Sequence, residues 1–147
     1  MKTMRILALV ALCCWSCSND DDGDDTGMDI GDPLCAKTAL LSNDAFVNAP
    51  ADQVTLNSVA VDGNCLLVNF SASGCSGDSW EVNLIGSLTV RDSDPPQRSV
   101  RFSLGNSELC QAFITQEISF DLTPLRAEGN GVYLNIVNSG ESVLYEY

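Results

Sequence analysis

From Trp80 to Arg91 the chain alternates: Trp80, Val82, Leu84, Gly86, Leu88 and Val90 fall on one side, Glu81, Asn83, Ile85, Ser87, Thr89 and Arg91 on the other. Successive side chains of a β-strand point to opposite faces, so this period of two marks a strand with one face in a core and one in water. The same alternation recurs at Leu66, Val68 and Phe70, at Val100, Phe102 and Leu104, at Ile114, Ile118, Phe120 and Leu122, and at Val132, Leu134 and Ile136. Strands beginning near Gln53 and Ser142 bring the expected number to seven.

Reversals fall between these runs. Asp62-Gly63-Asn64 is a hairpin signal, and Asp94-Pro95-Pro96, Glu128-Gly129-Asn130-Gly131 and Asn138-Ser139-Gly140 mark further turns. The one stretch that suggests a helix of more than a turn or two runs from Ala36 to Phe46. Short strands separated by turns at this spacing predict an all-β domain, a Greek-key β-sandwich of immunoglobulin-like kind, with a small antiparallel β-barrel as the alternative. Residues 33–147 are of ordinary size for one domain.

This region holds four cysteines, Cys35, Cys65, Cys75 and Cys110. Cys65 and Cys75 flank one strand and would lie roughly 30 Å apart, beyond the roughly 7 Å that bridged Cα atoms tolerate. If the strand after Cys65 runs up, the next runs down and the one from Arg98 to Leu104 runs up, which brings Cys110 to the end where Cys75 sits. The expected disulfides are therefore Cys75 with Cys110 and Cys35 with Cys65. A structural zinc site lacks support, since there is no paired C-x-x-C spacing and no histidine in the chain.

The absence of histidine also removes every Ser-His or Cys-His arrangement. Glu81, Glu117 and Asp121 are the candidates for carboxylate chemistry, although each sits on the polar face of an expected strand, where a solvated charge is the ordinary outcome. Arg91, Arg98 and Arg101 surround the Pro95-Pro96 turn and could form an anion patch; pairing across the hairpin with neighbours such as Glu81 is the favoured alternative. Gly74-Cys75-Ser76-Gly77 precedes a strand, so it offers no helix N-terminus to a phosphate. No cofactor is expected.

Upstream, Lys2 and Arg5 precede an apolar run from Ile6 to Trp15 that is too short to span a bilayer, which reads as an export signal covering residues 1–16. Ser16-Cys17 at its end resembles the cleavage site of bacterial lipoproteins, which implies that Cys17 becomes the acylated first residue and that membrane lipid is a partner. Cys13 and Cys14 read as apolar members of the signal. Residues 17–32 contain seven aspartates and almost nothing apolar, the composition of a solvated tether. Ser18-Asn19-Asp20-Asp21-Asp22 resembles the acidic export tag of Bacteroidota surface lipoproteins, which implies an outer-membrane, surface-facing location; a periplasm-facing one is the alternative. Asp22, Asp24 and Gly27 echo a calcium loop, but the position of its bidentate glutamate falls on Pro33, so no metal site is expected.

The chain's net charge is -13, and without Lys2 and Arg5 the five remaining basic side chains against 20 acidic ones give -15. A phosphate backbone would be repelled, so nucleic acid is not an expected partner. The strings VDGNCLLVNFSASGCSG, SDPPQRSVRFSL and ELCQAFITQEISFDLTPL, followed by a C-terminal SVLYEY, resemble a group of flavobacterial-type lipoproteins that has no assigned activity. The resemblance implies a secreted, disulfide-containing β domain and transfers no functional residue.

The function expected is thus a non-enzymatic, lipid-anchored surface lipoprotein that binds a protein or a glycan through loops at one end of the sandwich. A structural envelope component, which would show no exposed aromatic patch, is the first alternative. A hydrolase, which would need a pocket converging on two carboxylates, is the second. Wild-type protein should partition with membranes and take up labelled fatty acid, and Cys17→Ala should do neither; equal labelling of the two would refute the assignment of Cys17.

Overall fold

A computed structural model of the protein describes residues 34–147; Cys17, the signal and the acidic tether lie outside the described residues. In chain order the described elements are β1 (Lys37–Thr38), β2 (Leu40–Leu41), helix α1 (Asn43–Asn48), β3 (Thr55–Asp62), β4 (Cys65–Gly74), β5 (Glu81–Arg91) and β6 (Gln97–Gly105). They continue with β7 (Ala112–Asp121), the 3-10 turn η1 (Thr123–Leu125), β8 (Gly131–Ile136) and β9 (Ser142–Glu146). A four-stranded sheet ordered β1-β7-β4-β3 packs on a five-stranded sheet ordered β2-β5-β6-β8-β9. The domain is therefore a two-layer sandwich. It is not a closed barrel, because no ladder of hydrogen bonds joins the edges of one sheet to those of the other. Both sheets are mixed: β1 with β7, β2 with β5, and β6 with β8 run parallel.

The alternating runs supply the core. Leu66, Val68 and Phe70 of β4, Val100, Phe102 and Leu104 of β6, and Val132, Leu134 and Ile136 of β8 are all buried between the sheets. Aromatic rings interleave at its centre, with Phe70 and Phe102 centroids 4.9 Å apart, Phe102 meeting Phe120 edge-on at 6.1 Å, and Trp80 5.9 Å from Phe70. Offset and edge-on contacts of this kind add to the burial of the rings themselves.

Two expectations need correction. Leu88, placed inward by the alternation, is 55% exposed, while Ile85, placed outward, is buried. The pairing of β5 with β6 shifts register between Gly86, opposite Val100, and Val90, opposite Arg98, so four residues of β5 span two of β6 and Leu88 falls in the unpaired bulge. Ile85 precedes the bulge and keeps its outward face, opposite Arg101, whose side chain reaches over to α1, and it is buried there rather than in the core between the sheets. At Gly86 a Cβ would lie 2.5 Å from Cδ2 of Leu125, so the missing side chain makes room for η1 to pack there. The second correction is the helix, which forms only over Asn43–Asn48, with Ser42 accepting the N–H of Ala45 at 3.2 Å as its cap. Ahead of it the chain is extended, pairing first with β7 and then with β5, so that it passes from one sheet to the other around the buried Ala39.

Cys35 is bonded to Cys65 with Cα atoms 5.7 Å apart, and Cys75 to Cys110 at 4.8 Å. By chain-entropy reasoning each closed loop contributes about 3 to 4 kcal/mol. Strand β4 lies antiparallel to β7, with Cys65 opposite Asp121 and Gly74 opposite Ala112, so the two cystines mark opposite ends of the sandwich. The chain enters the domain at the Cys35–Cys65 end. The segments around Asp52, Cys75 and Asn106 gather at the other, where Asn106 donates its side-chain N–H to the Ser73 carbonyl and its main-chain N–H to the Asp52 carboxylate.

The three arginines form neither an anion patch nor a pair with Glu81, which stands opposite Gly105. Arg98 is only 4% exposed and donates to three main-chain carbonyls: Leu125 at 3.0 Å, Arg126 at 3.2 Å, and Ser87. Arg101 donates to the carbonyls of Phe46 at 2.8 Å, Val47 at 3.2 Å and Ala49 at 3.1 Å, closing the C-terminus of α1. Arg91 reaches only Gln97 Oε1, at 3.4 Å. Arg98→Ala would strand three carbonyls in or near the core and should cost about 3 kcal/mol, whereas Arg101→Ala, whose carbonyls can turn to water, should cost about 1 kcal/mol. Urea unfolding of the two variants checks the order, and equal losses would refute it.

Candidate functional site

At the end remote from the chain's entrance, the loop between β4 and β5 wraps the side chain of Glu108. The carboxylate accepts the N–H of Ser76 at 3.0 Å, the N–H of Gly77 at 3.1 Å, the hydroxyl of Ser79 at 2.9 Å, and the N–H of Cys75. Successive main-chain N–H groups converging on one point make an anion nest. Gly77 turns the loop with φ +78°, and a Cβ at Gly74 would lie 2.5 Å from Glu108 Oε2, so the two glycines are what let the loop close around the carboxylate. These hydrogen bonds, led by that from Gly77, draw the Glu108 pKa down to about 2.

Beside this nest lies a cavity of 290 Å³ lined by Asp52, Gln53, Thr55, Ser73, Asn106 and Phe113 among others. Its walls are tied to one another. Asn106 donates its N–H to Asp52 Oδ2 at 2.7 Å and its side-chain N–H to the Ser73 carbonyl at 2.7 Å, and it accepts the N–H of Glu108 at 2.9 Å. Ser71, on the cavity wall, shares a hydrogen bond with Thr115 at 2.7 Å and accepts from Asn57 at 2.8 Å. Phe113 stands opposite Ser73 on the outer face of the four-stranded sheet and is 70% exposed. Leu109, close by in the same loop as Glu108, is 95% exposed.

A wider cleft of 550 Å³ lies at the other end, between the turn at Asp92, Ser93, Asp94 and Pro96 and the segment Ala127, Glu128 and Gly129. Its rim carries three carboxylates. Ser93, its hydroxyl donor, is turned onto the Pro95 carbonyl at 2.7 Å. The remote cavity is smaller but has the fixed, converging polar groups that orient a ligand.

The carboxylates nominated from sequence do not meet. Glu81 belongs to the five-stranded sheet, whereas Glu117 and Asp121 lie four residues apart on β7 of the other. Glu81 and Glu117 are exposed. Asp121 is 1% exposed: its Oδ1 accepts the N–H of Thr123 at 3.1 Å and the Thr123 hydroxyl at 2.7 Å, while Oδ2 has no hydrogen-bond partner. It serves as a cap for η1 rather than as a solvated charge. Among the described residues no group of three or more His, Cys, Asp or Glu side chains could hold a metal ion. Sequence reasoning passed over Glu108, Asp52, Asn106 and Phe113. Only Phe113 left a trace there, as an aromatic on the β7 face that otherwise carries Thr115, Glu117 and Ser119. The other three act through a loop closure that no periodicity encodes.

No protein-family model matches the chain, and no curated protein matches it. Among solved structures it is similar to a protein of unknown function, DUF1344, from Bacteroides vulgatus, with a TM-score of 0.50 and 16% identity over 76% of this chain and 55% of that one. It is also similar to a protein described as toxin-related from Parabacteroides distasonis, with a TM-score of 0.50 and 14% identity over 76% of this chain and 60% of that one. The chain thus spans a little over half the length of these relatives, and at such identities the likeness is one of fold.

Because the folded-state pKa of Glu108 lies below its ordinary value of 4.5, the nest's contribution to stability is complete above pH 4.5 and is lost as pH falls through about 2. Wild-type protein should therefore lose stability between pH 4.5 and 2 more steeply than Glu108→Gln, and the N–H signals of Ser76 and Gly77 should titrate with Glu108. Superimposable pH profiles for the two proteins would show that the nest does not hold the charge.

Proposed function

We propose that the protein is a non-enzymatic binding module, anchored in the outer membrane through lipid on Cys17 and carried on the acidic tether of residues 17–32, that engages a protein or a glycan with the end of its sandwich remote from the tether. The observation that carries this reading is polarity of placement. The chain reaches the domain beside the Cys35–Cys65 disulfide, and the rigid cavity with exposed Phe113 and Leu109 lies at the opposite end, beside Cys75–Cys110. An anchored domain presents that end to its surroundings. Exposed apolar side chains beside preset polar groups support binding over a purely structural role, and the separation of Glu81, Glu117 and Asp121 speaks against carboxylate-pair hydrolysis. For the subclass of sandwich we propose the immunoglobulin-like Greek-key group, supported by the chain's crossing between sheets after β4, β6 and β7 and by the return of β7 to the side of β4.

Two measurements test the reading. Protease added to intact cells should remove the wild-type protein, and replacement of Asp20, Asp21 and Asp22 by alanine should leave it uncut; equal cleavage would detach the acidic tag from surface display. A photo-crosslinking residue placed at Leu109 should capture an envelope or extracellular component from intact cells, while the same residue at Glu117 should not. Capture at neither position, or equally at both, would refute the assignment of the binding end.

A further inference from the structure

The chemistry of the remote cavity narrows what can occupy it. No lysine or arginine lines it, its two ionisable groups are the carboxylates of Asp52 and Glu108, and the nest that could have held an anion is filled by Glu108. An anionic ligand would meet repulsion without a donor to offset it. An apolar ligand would bury polar walls without partners, which is costly. A metal ion would find one available carboxylate oxygen, Asp52 Oδ1, since Glu108 is held by main-chain N–H groups and Asp52 Oδ2 already accepts from Asn106.

Three properties remain, and together they define one ligand class. An exposed aromatic ring, Phe113, stands at the edge and offers a flat apolar surface with a negative face to weakly positive C–H groups. Around it are short polar groups of both kinds: Asp52 Oδ1 as acceptor, the Gln53 amide as donor and acceptor, and the hydroxyls of Thr55 and Ser73, none of which is engaged in an intramolecular hydrogen bond. The framework behind them is fixed by the Cys75–Cys110 disulfide and the three bonds of Asn106, so little ordering remains to oppose binding. The volume of 290 Å³ stands at the small end of the roughly 300 to 1,000 Å³ usual for ligand sites, room for one ring rather than for a chain.

We infer that this cavity is a subsite for one neutral sugar ring of a longer glycan, stacked on Phe113 and hydrogen-bonded through its hydroxyls to Asp52, Gln53, Thr55 and Ser73. A pyranose presents an apolar C–H face and a rim of hydroxyls, which matches an aromatic ring flanked by uncharged donors and a single carboxylate acceptor. The inference deepens the binding-module reading and rests on it.

The test is calorimetric titration of the full-length protein in detergent with gluco-, manno-, galacto- and xylo-configured neutral pentasaccharides, and with an anionic hexuronate pentamer. At least one neutral pentasaccharide should bind with a dissociation constant of about 0.1 to 1 mM, and the anionic one should not. Phe113→Ala should weaken that binding tenfold or more and Phe113→Trp should restore it, with urea midpoints of both variants unchanged because the side chain is exposed. Failure of every neutral glycan at about 10 mM, where even a millimolar site is mostly filled, would overturn the proposal. So would binding indifferent to Phe113→Ala. A protein captured at Leu109 with no glycan binding would overturn the sugar subsite and leave the module standing, whereas no capture and no binding would remove both.

Discussion

Strand β4 is held at both ends, and the rest of the domain is arranged by that fact. Its first residue, Cys65, is bonded to Cys35 at the chain's entrance to the domain, and Cys75, just past its last, is bonded to Cys110 at the start of the approach to β7. Between them β4 pairs with β7 over ten residues without a break in register, and it contributes Leu66, Val68 and Phe70 to the core. A slip of one residue would turn those three side chains to solvent. The cystines oppose it from both directions, so the face that β4 offers the five-stranded sheet is fixed. The same two bonds separate the ends in role: one receives the chain, and the other closes the nest around Glu108.

Main-chain polarity, more than ion pairing, is what the charged side chains of this domain answer to. Arg98 and Arg101 donate to no carboxylate in the contacts described and instead satisfy the carbonyls of η1, α1 and the β5 bulge. Glu108 does the complementary service for main-chain N–H groups, and Asp121 does so for η1. In a sandwich with many short connections, carbonyls and N–H groups outside the ladders must find partners or remain in water. Placing permanent charges against them gives stronger bonds than neutral side chains would. Arg126 extends the pattern: it donates to Tyr145 and Asn64 and lies 4.8 Å from the centroid of the Tyr147 ring, which ties the C-terminal strand to the hairpin between β3 and β4.

The sandwich was legible in the sequence wherever a strand had one wet face, as at Val100, Phe102 and Leu104, because water on one side and a core on the other write a period of two into the residues. It was illegible where tertiary contact overrides that period. Leu88 is exposed because it falls in a bulge that alternation does not encode, and Ile85 is buried on its outward face, where Arg101 opposite it reaches over to α1; Gly86 leaves the space that Leu125, about forty residues later, occupies. Lys37–Thr38 and Leu40–Leu41 are strands only because β7 and β5 lie beside them; two residues carry no period of their own. Parallel pairing of β6 with β8 was equally hidden, since alternation reports the face of a strand and says nothing of its neighbour's direction. For the candidate site, the polar cavity draws on Asp52 from the connection between α1 and β3, Ser73 from the end of β4, and Asn106 from the connection between β6 and β7, residues brought together only by the fold.

The bonds that close the loop between β4 and β5 add to the stability of the fold and at the same time fix the wall of the cavity beside it. The loop between β4 and β5 is short of apolar anchors, and alone it would be a mobile tip of the kind that loses entropy when a ligand orders it. Glu108 and the Cys75–Cys110 bond order it during folding, when the cost is shared with the whole cooperative transition. The cavity beside it consequently has its walls already placed, and a ligand of the kind proposed would meet them without further ordering. On the binding-module reading proposed above, such a site would suit weak, repeated recognition, in which each encounter gains little energy and none can be spent on reorganising the site.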